Sequence, residues 1–520
     1  MNEPNRPPPH APEVPAGTQP VGYAWQVHTY GLRTLPHHRW TFSGGSRRVL
    51  ESGGRTSVVV PARTADPARM SLLDHLLFGL KHEGVALEIL DALFEAAPEA
   101  EMTQLVADAV RGAPTSKYVR RLFWLYEHLT SRRVPVDDVE KGNYVPLLDP
   151  NDYFTGPPER SRRHRVDVNL LGDTTFAPIV RRSALLSTCS AEALRAKLDG
   201  LLGAFDADAL RRAISYLYTK ETLSSFEIER ERPPKDRTER FIALLSHVDA
   251  HAPMTERRLL ELQRVIVDPR FAADGWRAGQ VYVGEALDWT RERVHFVAPK
   301  PDDVSALMAS LLTTMERLER SSLDPVIYAA LCSFAFVFVH PFEDGNGRLH
   351  RFLIHHALAR RGLTQPGVIV PVSAVMLARR AEYDAALEAL SRPLMQLLDY
   401  DVDDAGRLTV RGESLRHYRF FDATPMAEAL YRWLEIAIEE DMRAELDFVV
   451  RFRAAKAAAR SIVDMPDRLL TLFIKLVTQN DGELSARKRE AHFDMLEDDE
   501  VERLQAAVVE AFQSESQVSS

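Results

Sequence analysis

Residues 324–351 read DPVIYAALCSFAFVFVHPFEDGNGRLHR. Asp324-Pro325 predicts a helix start: a capping carboxylate, then the residue best suited to the first helical position. Val326–Val339 is apolar nearly all round, so this helix should be buried. It should stop at His340-Pro341, because the proline ring clashes with a continuing helix. Phe342–Arg348 then makes a loop that two glycines release from ordinary backbone limits. A second helix is expected from Leu349 to about Arg361, ended by Gly362.

A Gly-Asn-Gly loop that opens onto a helix N-terminus offers unpaired backbone N–H groups and a dipole that favours anions. Arg348 and Arg351 lie three apart in the first turn, on one side of the helix. Two guanidinium groups beside bare N–H donors suit an anion with several oxygens, such as a polyphosphate. Asp344 is a hard oxygen ligand next to it, suited to Mg²⁺ bridging phosphate oxygens. His340 can take a proton from an attacking hydroxyl near neutral pH. Together these residues specify nucleotidyl or phosphoryl transfer more than any other chemistry.

HPFEDGNGRLHR (340–351) resembles the Fic-family signature HPFx[D/E]GNGRxxR at every specified position. The resemblance implies transfer of AMP from ATP to a Ser, Thr or Tyr hydroxyl of a target protein, a nucleotidyltransferase activity. It implies His340 as the base, Asp344 as the Mg²⁺ ligand, and Gly345, Asn346 and Gly347 as N–H donors to the α- and β-phosphates. Arg348 would contact the phosphates and Arg351 the γ-phosphate. Residues 281–297 read as a β-hairpin, two alternating runs around a polar tip. They resemble the family's flap, on which a target segment would add as a strand along Val294, His295, Phe296 and Val297. Tyr383, in AEYDAAL, matches a position often near the adenine. Ser225 and Glu229, within 221–230, match the spacing of the inhibitory pattern [S/T]xxxE[G/N], which implies autoinhibition by Glu229 against Arg351. Arg230 departs from the Gly or Asn expected there.

Working outward, the expected fold class is mainly α: a Fic-type helical core with a β-hairpin flap, an N-terminal accessory region and a C-terminal helical unit. Residues 1–20 are proline-rich and read as a disordered tail. Residues 21–185 form the accessory region. Thr56–Val60 there is β-prone, and helical periodicity runs over 71–97 and 102–129 with a break at 112–114. The run Arg160–Arg165 reads as a solvated surface loop. Residues 186–395 form the catalytic domain and 396–520 a mostly helical region. A winged-helix unit around Ser485–Arg489 is the alternative reading of that last part.

Acidic residues outnumber basic ones, 75 to 65, for a net charge of −10, which argues against broad nucleic-acid binding as the main role. Only two cysteines occur, Cys189 and Cys332, too far apart for a disulfide framework or a zinc site. No apolar run spans a bilayer and no secretory signal is present, so the expected compartment is the cytoplasm. His350, His355 and His356 read as ordinary helix residues, since adjacent positions cannot share a helix face. P-loop and kinase motifs are absent. Three readings remain: AMP transfer; the same fold moving UMP, phosphate or phosphocholine, or removing AMP; and a regulator that binds DNA or a partner. A homo-oligomer is left open.

Overall fold

The computed structural model describes residues 8–246, 248, 253–286, 292–403 and 405–513. Residues 1–7 of the proline-rich tail, the hairpin tip 287–291 and the C-terminal stretch 514–520 lie outside them, as do 247, 249–252 and 404. The fold is mainly helical, as expected, with several small sheets. It divides into two compact units that are not collinear with the sequence. One comprises Met1–Ser190, Asp249–Gly362 and Arg379–Tyr431; the other comprises Ala191–Val248, Leu363–Ala378 and Arg432–Ser520.

The first unit begins with a four-stranded sheet in the spatial order Gln19–Val21, Arg39–Gly44, Arg55–Pro61, Arg48–Ser52. The β-prone Thr56–Val60 lies in an inner strand, parallel to Arg39–Gly44 and antiparallel to Arg48–Ser52. Trp40, Phe42 and Val59 join one core with the helices Leu72–His82, Leu87–Ala96, Glu99–Gly112 and Lys117–Thr130. Ser71 starts the first of these with a capping box to Asp74. The periodic run 71–97 is two helices, not one. The chain turns between them at Gly84, whose φ of +91° an L side chain rarely adopts and whose Cα faces the Tyr153 hydroxyl.

Two expectations need correction and a third an addition. Residues 8–20 are not a disordered tail. The His10 ring bonds the Pro393 carbonyl at 2.8 Å, the Thr18 hydroxyl donates to the Pro15 carbonyl at 2.7 Å, and Gln19–Val21 joins the sheet. Arg160–Arg165 is not a solvated loop: Arg160 and Ser161 belong to the strand Glu159–Ser161, and 162–165 is the turn that pairs it with Val166–Val168. Arg163 donates to both Glu127 oxygens at 2.8 and 2.9 Å and to Asp138 at 2.9 Å, and His164 is buried beside Glu127. Finally, 396–520 contains an antiparallel hairpin, Asp399–Val402 with Leu408–Arg411. Its turn closes where Asp403 Oδ1 accepts the Arg407 N–H at 2.8 Å and Gly406 takes a φ of +73°.

The second unit holds the helices Ala191–Gly203, Ala207–Ile228, Lys235–Ser246 and Val372–Ala378 and the C-terminal helices Arg443–Ile462, Asp467–Thr478, Ala486–His492 and Asp498–Gln513. Buried Glu221 accepts the Ser373 N–H at 2.8 Å and also bonds its hydroxyl. The C-terminal helices close on Leu470, Phe473, Ile474 and Leu504. Among the described residues from 432 onward there is no strand, so the winged-helix alternative lacks its wing. Ser485–Arg489 instead caps and begins a short, largely exposed helix.

Candidate active site

Two packed helices of the first unit frame the site, Pro325–Val339 and Asn346–Arg360. Asp324 caps the first through Oδ1, which accepts the Val326 and Ile327 N–H groups at 2.8 and 3.1 Å. Every residue from Val326 to Val339 is buried. The helix ends where the sequence predicts, at His340, which takes the left-handed conformation with φ 52° and ψ 59°. Such a conformation costs a non-glycine residue about 1–3 kcal/mol and persists only where its surroundings hold it. It swings the imidazole out of the helix. Nδ1 then lies 3.0 Å from the Val337 carbonyl. A carbonyl can only accept, so Nδ1 carries the proton and the lone pair of the neutral ring sits on Nε2.

The loop is fixed from within. Asn346 is buried, and its side chain bonds both backbone groups of Phe342: Oδ1 accepts the N–H at 3.1 Å and Nδ2 donates to the carbonyl at 2.8 Å. Phe342 is itself fully buried, 5.3 Å from the Trp276 ring and 6.3 Å from Phe336. This staple starts the second helix at Asn346, three residues before the expected Leu349. Gly345 precedes it with φ +91°, and a Cβ there would come within 2.9 Å of Val267 Cγ1. Asp344 Oδ1 accepts the Gly345 N–H at 2.6 Å and Arg348 Nη2 at 2.7 Å. Arg348 also reaches the Ile266 carbonyl at 3.3 Å. Arg348 and Arg351 are both buried, each 1% exposed, whereas the Asp344 side chain is 47% exposed. The structure therefore brings His340, Asp344, Gly345, Asn346, Gly347, Arg348 and Arg351 into one turn of chain, with its two arginines drawn into the protein.

Two residues that sequence reasoning missed hold this turn from outside. Arg277 is 5% exposed and uses all three of its guanidinium nitrogens: Nε donates to the His340 carbonyl at 2.7 Å, Nη1 to Gly279 at 2.9 Å and Nη2 to Pro299 at 2.6 Å. Its own backbone N–H donates to the Pro341 carbonyl at 2.8 Å. Burial lowers its pKa to about 10, which leaves it charged at neutral pH. Gln263, buried in the helix Glu256–Ile266, donates to the Asp344 carbonyl at 3.3 Å and accepts the Ala273 N–H at 2.9 Å. The one available signal for Arg277 was an arginine set among Trp, Gly and Ala just before an apolar strand.

The expected hairpin is present as Tyr282–Ala286 antiparallel to Glu292–Val297, with a bulge between Val283 and Gly284. His295 is exposed and Val294 half-buried, while Phe296 and Val297 are buried. The Phe296 ring lies 6.4 Å from the His340 ring. Tyr418 ties the base of the hairpin down by donating to the Val297 carbonyl at 2.7 Å. Tyr383 is buried in the helix Arg380–Met395, its ring 6.3 Å from that of His350. His350 in turn bonds the Ser333 carbonyl at 2.8 Å, as an ordinary core histidine does. Among the described residues no group of three or more His, Cys, Asp or Glu is placed to hold a metal, and Cys189 and Cys332 are not joined in a disulfide.

Residues 253–358 match the model of the Fic/DOC family. That segment contains the hairpin and the whole of 340–351, but not Tyr383, Ser225 or Glu229. The protein adenylyltransferase Fic of Drosophila virilis is 39% identical over 121 residues, 23% of this chain and 22% of the relative. That of Drosophila melanogaster is 37% identical over the same shares. The chain thus spans about a fifth of the length of the curated relatives it matches. Among solved structures, a Fic family protein from Desulfovibrio desulfuricans G20 is 21% identical with a TM-score of 0.35, covering 52% of this chain and 79% of that one.

Ser225 and Glu229 lie in the second unit, at the end of the helix Ala207–Ile228. Ser225 is buried and Glu229 is exposed. The helix closes with a double bond pattern: the Arg230 N–H donates to the Glu227 carbonyl at 2.8 Å and the Glu231 N–H to the Phe226 carbonyl at 3.1 Å. That closure demands a left-handed residue next, and Arg230 supplies it with φ 57°. The position is therefore one where Gly or Asn fits without strain.

Proposed function

We propose that this chain is a protein adenylyltransferase. It moves AMP from ATP to a Ser, Thr or Tyr hydroxyl of a target protein. His340 Nε2 takes the hydroxyl proton, the oxygen bonds to the α-phosphorus, and the bond to the bridging oxygen breaks, releasing pyrophosphate. The observation that carries the reading is the orientation of His340: its Nδ1 is committed to the Val337 carbonyl at the mouth of a loop that opens onto a helix N-terminus. Identity of 37–39% to relatives named protein adenylyltransferase Fic supports it.

Gly345, Asn346 and Gly347 offer backbone N–H groups to the α- and β-phosphates, the Gly345 N–H once Asp344 Oδ1, which accepts it at 2.6 Å, has turned away. Arg351 pairs with the γ-phosphate. Arg348 adds its charge to the phosphate cradle and fixes Asp344. The half-exposed Asp344 carboxylate fits Mg²⁺, which usually takes one or two protein carboxylates plus substrate phosphates rather than a protein cage. When bound, the ion neutralises phosphate charge. Tyr383 lines the adenine end. The target docks on the hairpin by strand addition along Val294–Val297. Glu229, aided by Ser225, restrains the resting enzyme by pairing with Arg351. Residues 186–395 carry the chemistry in the cytoplasm, with 21–185 and 396–520 as accessory regions.

Purified wild type, His340→Ala and Glu229→Gly, incubated with Mg²⁺ and ATP labelled at the α-phosphate, test this. Label should be greatest with Glu229→Gly, lower in wild type and absent in His340→Ala. Transfer of γ-label alone would replace AMP by phosphate. No transfer by any variant would overturn the assignment.

A further inference from the structure

Outside the Fic/DOC segment, the N-terminal accessory region contains a polar pocket of about 1030 Å³, part of it open to solvent. Six cationic side chains line it: Arg39, Lys81, Lys117, Arg121, Arg181 and Arg182. Some are spent on the protein. Arg181 pairs with Asp422 at 2.6 Å, and Arg182 donates Nε to the Pro150 carbonyl at 2.7 Å. Arg121 is different. The residue is 5% exposed, and Nε donates to the Pro146 carbonyl at 2.8 Å. Arg121 lines the pocket, and its two terminal nitrogens have no hydrogen-bond partner among the described residues. A guanidinium fork held by one edge in a cavity wall has the geometry that binds oxyanions bidentately.

The acidic residues in the lining offset this charge only in part. Asp149 and Asp152 act on the Arg121 charge and help to hold it, but Arg39, Lys81, Lys117 and Arg182 stand beside them in the lining with no ion pair to an acidic side chain among the described residues. Glu83 is buried, and burial raises its pKa to about 8, so it is largely protonated at neutral pH. Tyr118, half-buried between Lys117 and Arg121, adds one flat apolar wall, with Lys117 Nζ 4.9 Å from its ring centre. In a chain of net charge −10, such a local excess of cations is not general surface character.

We propose that this pocket is a second, non-catalytic anion site that takes a small phosphate-bearing molecule, with the terminal nitrogens of Arg121 as its anchor and Lys117 and Lys81 as its rim. The test is calorimetric titration of the full-length protein with inorganic pyrophosphate and, in a parallel arm, ADP. Wild type, Arg121→Gln, Lys117→Gln and, to report on the catalytic loop, Arg351→Gln are compared. Wild type should show binding that Arg351→Gln leaves in place and that Arg121→Gln weakens at least about tenfold. Lys117→Gln, on an exposed side chain, should weaken it about two- to fivefold and reduce its salt dependence. Tighter binding of ADP than of pyrophosphate would place the base on Tyr118; equal binding would make the phosphate the whole determinant. If Arg121→Gln melts at the wild-type temperature and both it and Lys117→Gln bind both probes as wild type does, the site does not exist. Should Arg121→Gln not fold, an unchanged Lys117→Gln isotherm and salt slope would overturn the proposal by itself.

Discussion

Replacing Arg277 by lysine should damage stability and, on the proposed function, catalysis, because one guanidinium joins the turn at His340 to both ends of the hairpin. Its three donors meet the carbonyls of His340, Gly279 and Pro299 at 2.6–2.9 Å in a site only 5% exposed. Bonds to a charged group contribute roughly 1.5–3 kcal/mol each. An ammonium on a flexible stem reaches about one of these acceptors at a time. Two bonds are therefore lost, roughly 3–6 kcal/mol, of which relaxation and entering water should recover about a third. The expected loss is about 2–4 kcal/mol by urea unfolding. The His340 carbonyl is one of the three acceptors, so the imbalance falls on the residue that must stay left-handed. A displacement near 1 Å at a reacting group costs about a hundredfold in rate. With α-labelled ATP, kcat for self- or target modification should fall by about that factor, while nucleotide affinity changes little. If Arg277→Lys unfolds at the wild-type urea midpoint and transfers label at the wild-type rate, the brace is not what positions His340.

Four further outcomes are expected. Asn346→Ala leaves the buried Phe342 N–H and carbonyl unpaired and should cost about 2–4 kcal/mol with loss of nucleotide binding, read by thermal shift with and without ATP. Gly345→Ala meets both a φ of +91° and Val267 at 2.9 Å, and should lower stability by about 2–3 kcal/mol by urea unfolding. Arg230→Gly removes a left-handed side chain and should raise stability by roughly 1 kcal/mol, a gain of a few degrees in melting temperature. Glu83 has a folded pKa near 8 against an ordinary 4.5, so the fold prefers its neutral form. Stability is then greatest near and below pH 4.5 on this account and falls as pH rises to 8, by up to roughly 5 kcal/mol. His37, lowered to about 4 by burial, works in the opposite sense and removes stability as pH drops below 6.5. Glu83→Gln should flatten the alkaline side of the melting-temperature profile and leave the acid side alone.

How much of this was readable depends on how far apart the interacting residues lie. Helix Pro325–Val339 was legible at both ends because a cap, a proline and a second proline act within four residues of their targets. The hairpin at 282–297 was legible because strand alternation is local. The second hairpin, at 399–411, escaped because its strands, DYDV and LTVR, are four residues long, too short for their alternation to stand out from the surrounding polar sequence. Arg160–Arg165 was misread because the partner that draws Arg163 and His164 inward, Glu127, is more than thirty residues away. Arg277 and Gln263 act across 63 and 81 residues respectively, and a single sequence carries no sign of such a bond.

The same reasoning explains why the turn at 340–351 can be short. A loop with bare N–H groups, two buried arginines and a left-handed histidine is costly, and none of those features stabilises the others directly. Stability comes from polar groups aimed at backbone rather than at ligand: Asn346 on Phe342, Gln263 on Asp344 and Arg277 on His340. Each consumes its own hydrogen-bonding capacity to fix a carbonyl or an N–H, so the backbone of the turn need not reorganise when an anion arrives, and only the Asp344 side chain has to release its donors. On this logic the signature positions divide by direction. Asn346 supports the loop with its side chain and offers the anion only its N–H, so an Asp that keeps one acceptor should retain the Phe342 N–H bond yet place a carboxylate beside the phosphates. Asn346→Asp should consequently lose more activity than stability, whereas Gly345→Ala should lose both together.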